Sequence, residues 1–188
     1  MDPTWQSLKG QFLMAMPGLT DPNFYQSVTC LAEHNQNGAM GIIVSRIYTN
    51  LSARIIFDEL KISSTPAAKT IPIHVGGPVH TNELFVLHTA PFEWDGCMMI
   101  NEGLALSHSP DILEAIAIER GPRFYLMALG CAGWGPGQLE SEIRGNAWIN
   151  GPYSQEVAFN VAVEHRWRIC LENIGIDPAL LSDTAGHA

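Results

Sequence analysis

The stretch "RFYLMALGCAGWGPGQLESEIRGNAWI", Arg123 to Ile149, constrains the fold more than any other part of the chain. Its opening, RFYLMALG, is apolar almost throughout and reads as a buried strand. A charged, helix-like segment runs from about Gln138 to Arg144. Between the two, Gly130, Gly133, Gly135 and Gly137 crowd a short interval. A strand, a glycine loop and a helix in that order bring main chain close to main chain, and glycine permits such an approach. The same order is also the plan by which backbone N–H groups and a helix N-terminus hold an anion. The details depart from that plan. There is no G-x-x-x-x-G-K-[ST], because no lysine lies near the loop, and the glycine spacing is not G-x-G-x-x-G. Glu140 and Glu142, on the first turns of the helix, would repel a phosphate. The loop reads first as a packing bend and second as a wall of a small-molecule pocket.

The rest of the chain mixes strands and helices without strict alternation. "SVTCLAEH", "NQNG" and "AMGIIVSR" predict a β-hairpin, with Asn37 and Gly38 supplying positive-φ turn positions. Thr20-Asp21-Pro22 predicts a capped helical turn. "NLSARIIFDELKI" predicts a helix with Asn50 as its N-cap. "TIPIHV" and "ELFVLHT" are strand-like and joined by "GGPVHTN". "SPDILEAIAIERGP" predicts a helix capped by Ser109, begun by Pro110 and ended by Gly121-Pro122. "YSQEVAFNVAVEHRWRICLENIGIDP" predicts one long amphipathic helix from Ser154 to Gly175. No internal repeat or low-complexity linker is visible. The expectation is an α+β fold, with residues 1–188 forming a single domain.

Composition narrows the function classes. Of the 188 residues, 46% are hydrophobic and 15% charged, so a real core is affordable and disorder is excluded. Ten basic against nineteen acidic residues give a net charge of −9, and protonating all seven histidines would still leave −2. The cations are scattered, with only Arg120/Arg123 and Arg166/Arg168 close in sequence. A duplex binder needs clustered cations to displace phosphate counterions, so nucleic acid is not expected as a partner. An anionic membrane surface is disfavoured for the same reason. The amino terminus lacks the basic-then-apolar pattern of a secretory signal, and no run approaches the length of a membrane span. Cys30, Cys97, Cys131 and Cys170 form no CxxC, which predicts reduced thiols and a cytoplasmic location.

The chemistry-bearing residues are sparse. Cys131 lies in the glycine loop ahead of a helix start, where a dipole could lower its pKa, yet the sequence places no base beside it. A G-x-S-x-G elbow is absent, since its centre would fall on Ala132. His74, His80 and His88 have spacings that match no short metal-ligand pattern, so no metal or cofactor is expected. Glu33 and His34 are adjacent on a strand and point to opposite faces, which disqualifies them as a ready acid–base pair. Trp134 and Trp148 flank the short helix and read as packing or anchoring side chains. A candidate ligand site remains, in which the turns at Asn35–Gly38, Gly76–Pro78 and Gly130–Gly137 converge on one pocket. It comprises Asn35, Gly38, Gly76, Gly77, Pro78, Gly130, Gly133, Trp134 and Gln138.

These segments taken together resemble the AlgH/YqgE family of bacterial proteins. The resemblance runs almost end to end and is carried by "GQFLMAMPGLTDPNFYQSV", "EHNQNGAMGIIVSR", "HVGGPV", "FVLHTAP", "SPDILEAIA", "ALGCAGWGPGQLESEIRGNAWI" and "IGIDPALLSDTAGHA". Two departures stand out. The position of Cys131 is commonly tyrosine in the family, which weakens a catalytic role for the thiol. Asn82, Glu83 and Leu84 replace the arginine-glycine pair usual before "FVLH". The resemblance implies a curved, mostly antiparallel or mixed sheet flanked by helices in a cytosolic bacterial protein. It transfers no catalytic residues. The family name carries a link to the regulation of alginate-synthesis genes, which the acidic composition makes hard to realise by direct DNA binding. The expected function is a non-enzymatic regulatory or adaptor protein whose effect on transcription is indirect, acting through a protein partner or a small-molecule ligand. The alternative is a small-molecule sensor or enzyme with its pocket in the glycine-rich turns.

Overall fold

The computed structural model describes residues 6–181. The first residues of the stretch weighed as a signal, and the closing SDTAGHA of the family resemblance, lie outside the described residues. The elements in chain order are β1 (Gln11–Ala15), β2 (Val28–Asn35), β3 (Gly38–Ile43), β4 (Ile47–Ser52), α1 (Ala53–Glu59), a 3-10 turn (Pro66–Lys69), β5 (Pro72–Val75) and β6 (Val79–His88). They continue with β7 (Met98–Asn101), β8 (Leu104–Ser107), α2 (Pro110–Ala117), β9 (Tyr125–Trp134), α3 (Gln138–Arg144), β10 (Trp148–Pro152), α4 (Gln155–Phe159), α5 (Val163–Asn173) and α6 (Pro178–Leu181). The sheet runs β10-β1-β2-β3-β9-β6-β8-β7, with β5 also on β9 and β4 on β5. Every pairing is antiparallel except β5 with β9. The mostly antiparallel, mixed sheet flanked by helices is therefore observed.

Both faces of the sheet are covered, which is why its central strands read as unbroken apolar runs. Phe12 and Met14, Cys30, Phe85 and Leu87 turn to one face and meet Val157, Ala158 and Leu171 of α4 and α5. On the other face, Ile73, Val86 and Met127 pack against α1 and α2 through Phe57, Ile112 and Ile116. Further along that face, Leu13, Leu31 and Trp148 receive Leu139 of α3.

β9 forms the spine of this arrangement, and it corrects the expected strand–loop–helix. The strand does not stop at Gly130 but continues to Trp134, pairing Ala132, Gly133 and Trp134 with Gly41, Met40 and Ala39 of β3. Only Gly135–Gly137 is a turn. The alternation had hidden the continuation. Leu126 and Ala128 join the first cluster and Met127 the second, but beyond Gly130 it is Cys131 that joins the first cluster, with Ala132 and Trp134 on the opposite face. Gly130, at φ +74°, reverses the in-and-out phase as a bulge residue does. A two-residue repeat read straight through that point fails.

Four local expectations need similar correction. The long C-terminal helix is two: α4 is capped by Ser154, whose hydroxyl accepts from Val157 N, and the chain then turns before α5. The break lets the Val161 carbonyl accept from Arg166 Nε at 2.8 Å. Asn50 sits in β4, and Ser52 holds the N-cap position of α1. α2 ends earlier than Gly121, with Glu119 taking the left-handed conformation at φ +61°. In the β2–β3 hairpin Gly38 alone has positive φ; Asn37 is instead held by an Asx turn, its N–H donating to Asn35 Oδ1 at 2.7 Å. The capped turn after Thr20 is present, with Asp21 as the cap: Asn23 N donates to its Oδ1 at 2.8 Å.

Candidate functional site

Glycine first lets the link from β5 to β6 pass over β9. Gly76 N donates to Leu129 O at 2.8 Å, and Gly76 O accepts from Ile43 N at 2.9 Å. A Cβ on Gly76 would lie 2.1 Å from Gly130 O, and one on Gly77 would lie 2.2 Å from the Cys131 carbonyl. Two backbones touch here with no room for a methyl group. Gly76, Gly77 and Gly130 are buried, while Pro78 emerges on the surface. This junction is closed.

A second approach lies at the far end of β9. A Cβ on Gly38 would lie 2.2 Å from Trp134 O, so the hairpin tip rests on the strand end. Above that contact the surface opens into a groove of about 330 Å³ lined by Glu33, Asn35, Asn37, Gly38, Met40 and Trp134. Across the tip, Gln36, Gly137, Glu140 and Arg144 border a second depression. Of the nine residues proposed from sequence, Asn35, Gly38 and Trp134 line the groove. Gln138 stands beside it on α3. Gly76, Gly77, Pro78, Gly130 and Gly133 belong to the crossing or to the strand between, and do not line it. All three turns meet along β9, at successive stations.

The groove is held by a network that sequence reasoning missed. Glu142 Oε2 accepts from both indoles, Trp134 Nε1 at 2.9 Å and Trp148 Nε1 at 2.8 Å. Its Oε1 accepts from Gln138 Nε2 at 2.8 Å, and Gln138 Oε1 accepts from Gly135 N at 2.9 Å. One carboxylate thus ties β9, α3 and β10 together. The sequence carried a signal for it, an (i, i+4) Gln–Glu pair flanked by two tryptophans whose N–H groups need acceptors once buried. The neighbouring Glu140 is also committed: its Oε1 is 3.0 Å from Nε2 of His34, whose Nδ1 accepts from Leu8 N at 2.8 Å. As expected, Glu33 and His34 lie on opposite faces, one exposed and one buried. The acidic residues of α3 are posts of the fold.

The remaining titratable candidates are dispersed. Burial pushes the Cys131 thiol pKa up, the reverse of the lowering that a helix start could have supplied. His74 is buried in β5, 3.3 Å from Arg166 Nη1, and burial together with that cation pushes its pKa down to about 3. His80 is exposed and lies 3.1 Å from Glu83. His88 is in a separate buried environment with Ser107. Among the described residues no cluster of three metal-ligating side chains occurs. Four of the ten cations are similarly engaged within the fold. Arg54 faces Asp58, Arg168 faces Glu172, Arg46 donates to the carbonyls of Pro22, Asn23 and Tyr25, and Arg166 is buried against the Val44 carbonyl. Among the described residues no helix is long and apolar enough to cross a membrane.

Comparison with known proteins agrees with this architecture. The AlgH-like family profile matches residues 12–179. A UPF0301 protein of Desulforapulum autotrophicum is 50% identical over 181 residues, covering 96% of each chain. A UPF0301 protein of Thioalkalivibrio sulfidiphilus is 46% identical, covering 95% of each. The solution structure of the AlgH protein from Pseudomonas aeruginosa superposes with a TM-score of 0.79 at 40% identity, covering 100% of this chain and 98% of that one. A crystal structure from Corynebacterium diphtheriae, protein DIP2367, shares the fold with a TM-score of 0.72 at 19% identity, covering 95% and 93%. The chain belongs to the AlgH-like family.

Proposed function

We propose that this is a cytoplasmic regulatory or adaptor protein that acts by binding a protein partner at the hairpin groove, with any effect on gene expression indirect. The observation that carries this reading is the commitment of Glu142. With both its oxygens occupied by indole and amide donors, Glu142 is part of the frame that holds the groove wall and is not free to shuttle protons. What the groove offers is hydrogen-bonding edge and apolar surface: Asn37, Glu33, Met40 and the hairpin backbone. Such a surface suits recognition. The net charge of −9 and the scatter of its ten cations along the chain support an indirect route to transcription.

The test is capture from bacterial extract on immobilised full-length protein, comparing the native chain with Asn37→Arg. Asn37 is exposed and its side chain has no structural duty, so the variant folds as the native chain does while a bulky cation fills the groove. A partner held by the native chain and lost by the variant is expected. Equal retention by both would sink the groove as the binding surface. A salt-sensitive mobility shift of duplex DNA at physiological ionic strength would overturn the indirect route. One observation favours a second reading, a small-molecule sensor: the groove's volume of about 330 Å³ falls within the range of small-ligand sites. A metabolite that raises Tm of the native chain, and fails to do so with Gln138→Ala, would establish that reading instead.

A further inference from the structure

At the opposite end of the sheet from the groove, three side chains with nucleophile or base chemistry converge. His88 ends β6, Ser107 ends β8, and Cys97 stands immediately before β7. His88 Nδ1 is 2.8 Å from the Thr89 carbonyl. A carbonyl only accepts, so Nδ1 carries the proton and Nε2 presents a lone pair. Two donors point at that lone pair: the Ser107 hydroxyl at 2.9 Å and the Cys97 thiol at 3.9 Å. Burial lowers the His88 pKa, which keeps the ring neutral and the lone pair available at neutral pH. The constellation is held from both sides. Phe92 tilts against the imidazole at 6.0 Å, and Cys97 N donates to Trp94 O at 3.1 Å, closing the turn that presents the sulfur.

Cys97 also differs from the other three thiols. Cys30, Cys131 and Cys170 are buried, and burial pushes all three pKa values up, those of Cys30 and Cys170 to about 12. Cys97 alone is partly exposed. The segment that leads to it, Thr89 to Cys97, carries Glu93 and Asp95, both exposed, and no lysine or arginine. The field there favours a cationic or neutral reactant over an anionic one.

We infer that Cys97 is a thiol–disulfide exchange site, with His88 as its base and a small neutral or cationic disulfide as its substrate class. His88 Nε2 takes the thiol proton, and the Cys97 thiolate attacks one sulfur of the disulfide. The S–S bond of the reactant breaks as the new mixed disulfide forms, and the departing thiolate recovers the proton from His88. One disulfide and one thiol enter, and one disulfide and one thiol leave. Ser107 moderates the step by competing for the same lone pair. The site lies apart from the hairpin groove and does not depend on what binds there.

The experiment treats the purified full chain with 4,4′-dithiodipyridine, follows release of the chromophoric thione, and locates the adduct by peptide mass spectrometry. The native chain should show a single fast thiol, at Cys97, which Cys97→Ser removes. His88→Gln should slow that phase about tenfold, less than the hundredfold or more of a fully positioned base, because the thiol lies 3.9 Å from Nε2 and shares it with Ser107. Ser107→Ala frees the lone pair and should speed it about threefold, as expected for loss of one competing hydrogen bond. A fast adduct on another cysteine, or equal Cys97 rates in the native chain and His88→Gln, would overturn the assignment. Where His88→Gln does not fold, Ser107→Ala decides: a rate at or below the native one overturns it. Cystamine should react faster than oxidised glutathione, and the reverse order would overturn the substrate class.

Discussion

Strand β9 meets glycine-bearing backbone at two stations, and the two use the same residue type for different purposes. At the first, Gly76 and Gly77 press on Gly130 and Cys131 so closely that a methyl group on either would overlap main-chain atoms. At the second, Gly38 rests on the Trp134 carbonyl, but the side chains around it diverge into an open groove. The first station is a crossing of two chains, and its glycines are there because any other residue would collide. The second is a rim, and its form depends on a polar network among Trp134, Gln138, Glu142 and Trp148. Glycine content alone does not separate a packing device from a binding edge. The distance from the absent Cβ to its nearest backbone atom does.

The contrast breaks most visibly at Gly77. Its φ is +150° and its would-be Cβ meets Cys131 C and O at 2.2 Å. Gly77→Ala forces β5 and β9 apart at the centre of the sheet, where overlap with backbone cannot be relieved by a rotamer change. The expected loss is on the order of 5 kcal/mol, enough to abolish cooperative unfolding at physiological temperature. A urea melt or the far-UV signal on heating checks this. A cooperative transition near the native midpoint would mean that the crossing is far looser than its geometry.

Acid probes the same station from within. His74 lies in β5 ahead of Gly76, and its pKa is pushed down to about 3 by burial and by Arg166. The unfolded chain takes up the proton near the ordinary histidine value of about 6.5, so between the two values the unfolded state binds more protons. Stability is therefore complete above about pH 6.5 and falls as pH drops toward 3, by about 4 kcal/mol for this one group. Unfolding midpoints measured from pH 7 to pH 4 should show the slope, and His74→Gln should flatten it while keeping an acceptor for Arg166. An unchanged slope in the variant would assign the acid sensitivity elsewhere.

How much of this was legible in the sequence divides along the same line. The hairpin, α2, α3 and the apolar run of β9 announce themselves through capping residues and periodicity, and each is found close to its expected place. The continuation of β9 through Gly130–Trp134 was not legible, because a single left-handed residue flips the parity on which strand reading depends. The break between α4 and α5 was hidden for a related reason. The break frees the Val161 carbonyl for Arg166, which also reaches the Val44 carbonyl, and no (i, i+4) pattern records a side chain reaching across the fold. At the site, the expectation was one pocket shared by three turns; of its nine residues Asn35, Gly38 and Trp134 line the groove, and the Gly76–Pro78 turn lies at the closed junction with β9. Which of them faces the groove depends on the bulge at Gly130, so it could not be read from spacing.

Glu142→Ala tests the rim. Removing the carboxylate leaves the indole N–H groups of Trp134 and Trp148 without their acceptor, both in nearly buried side chains. Each stranded donor costs about 1 to 3 kcal/mol, less whatever water reaches it, so a loss of about 2 kcal/mol is expected. Glu142→Gln, which keeps one acceptor oxygen, should recover about half of it. The tryptophan emission maximum should shift with the alanine variant, since two of the five tryptophans change environment. Equal stabilities of the alanine and glutamine variants would indicate that the network contributes little and that the rim is set by apolar packing alone.

The smallest effect, and the one that separates the stations most cleanly, is at Gly133. It lies on β9 three residues beyond Gly130, exposed, without positive φ, and a Cβ there would meet only Val79 Cγ2, at an ordinary 3.6 Å. By sequence it is indistinguishable from its neighbours in the glycine-rich run. By geometry its backbone is one that alanine adopts freely, so Gly133→Ala restricts the unfolded chain without straining the folded one. That asymmetry should raise stability by about 0.5 kcal/mol. A rise at Gly133 beside a collapse at Gly77 would establish that glycines at the two stations along β9 serve different ends. A loss of several kcal/mol at Gly133 would mean that the strand end is packed as tightly as the crossing and that the groove beside it is not an open rim.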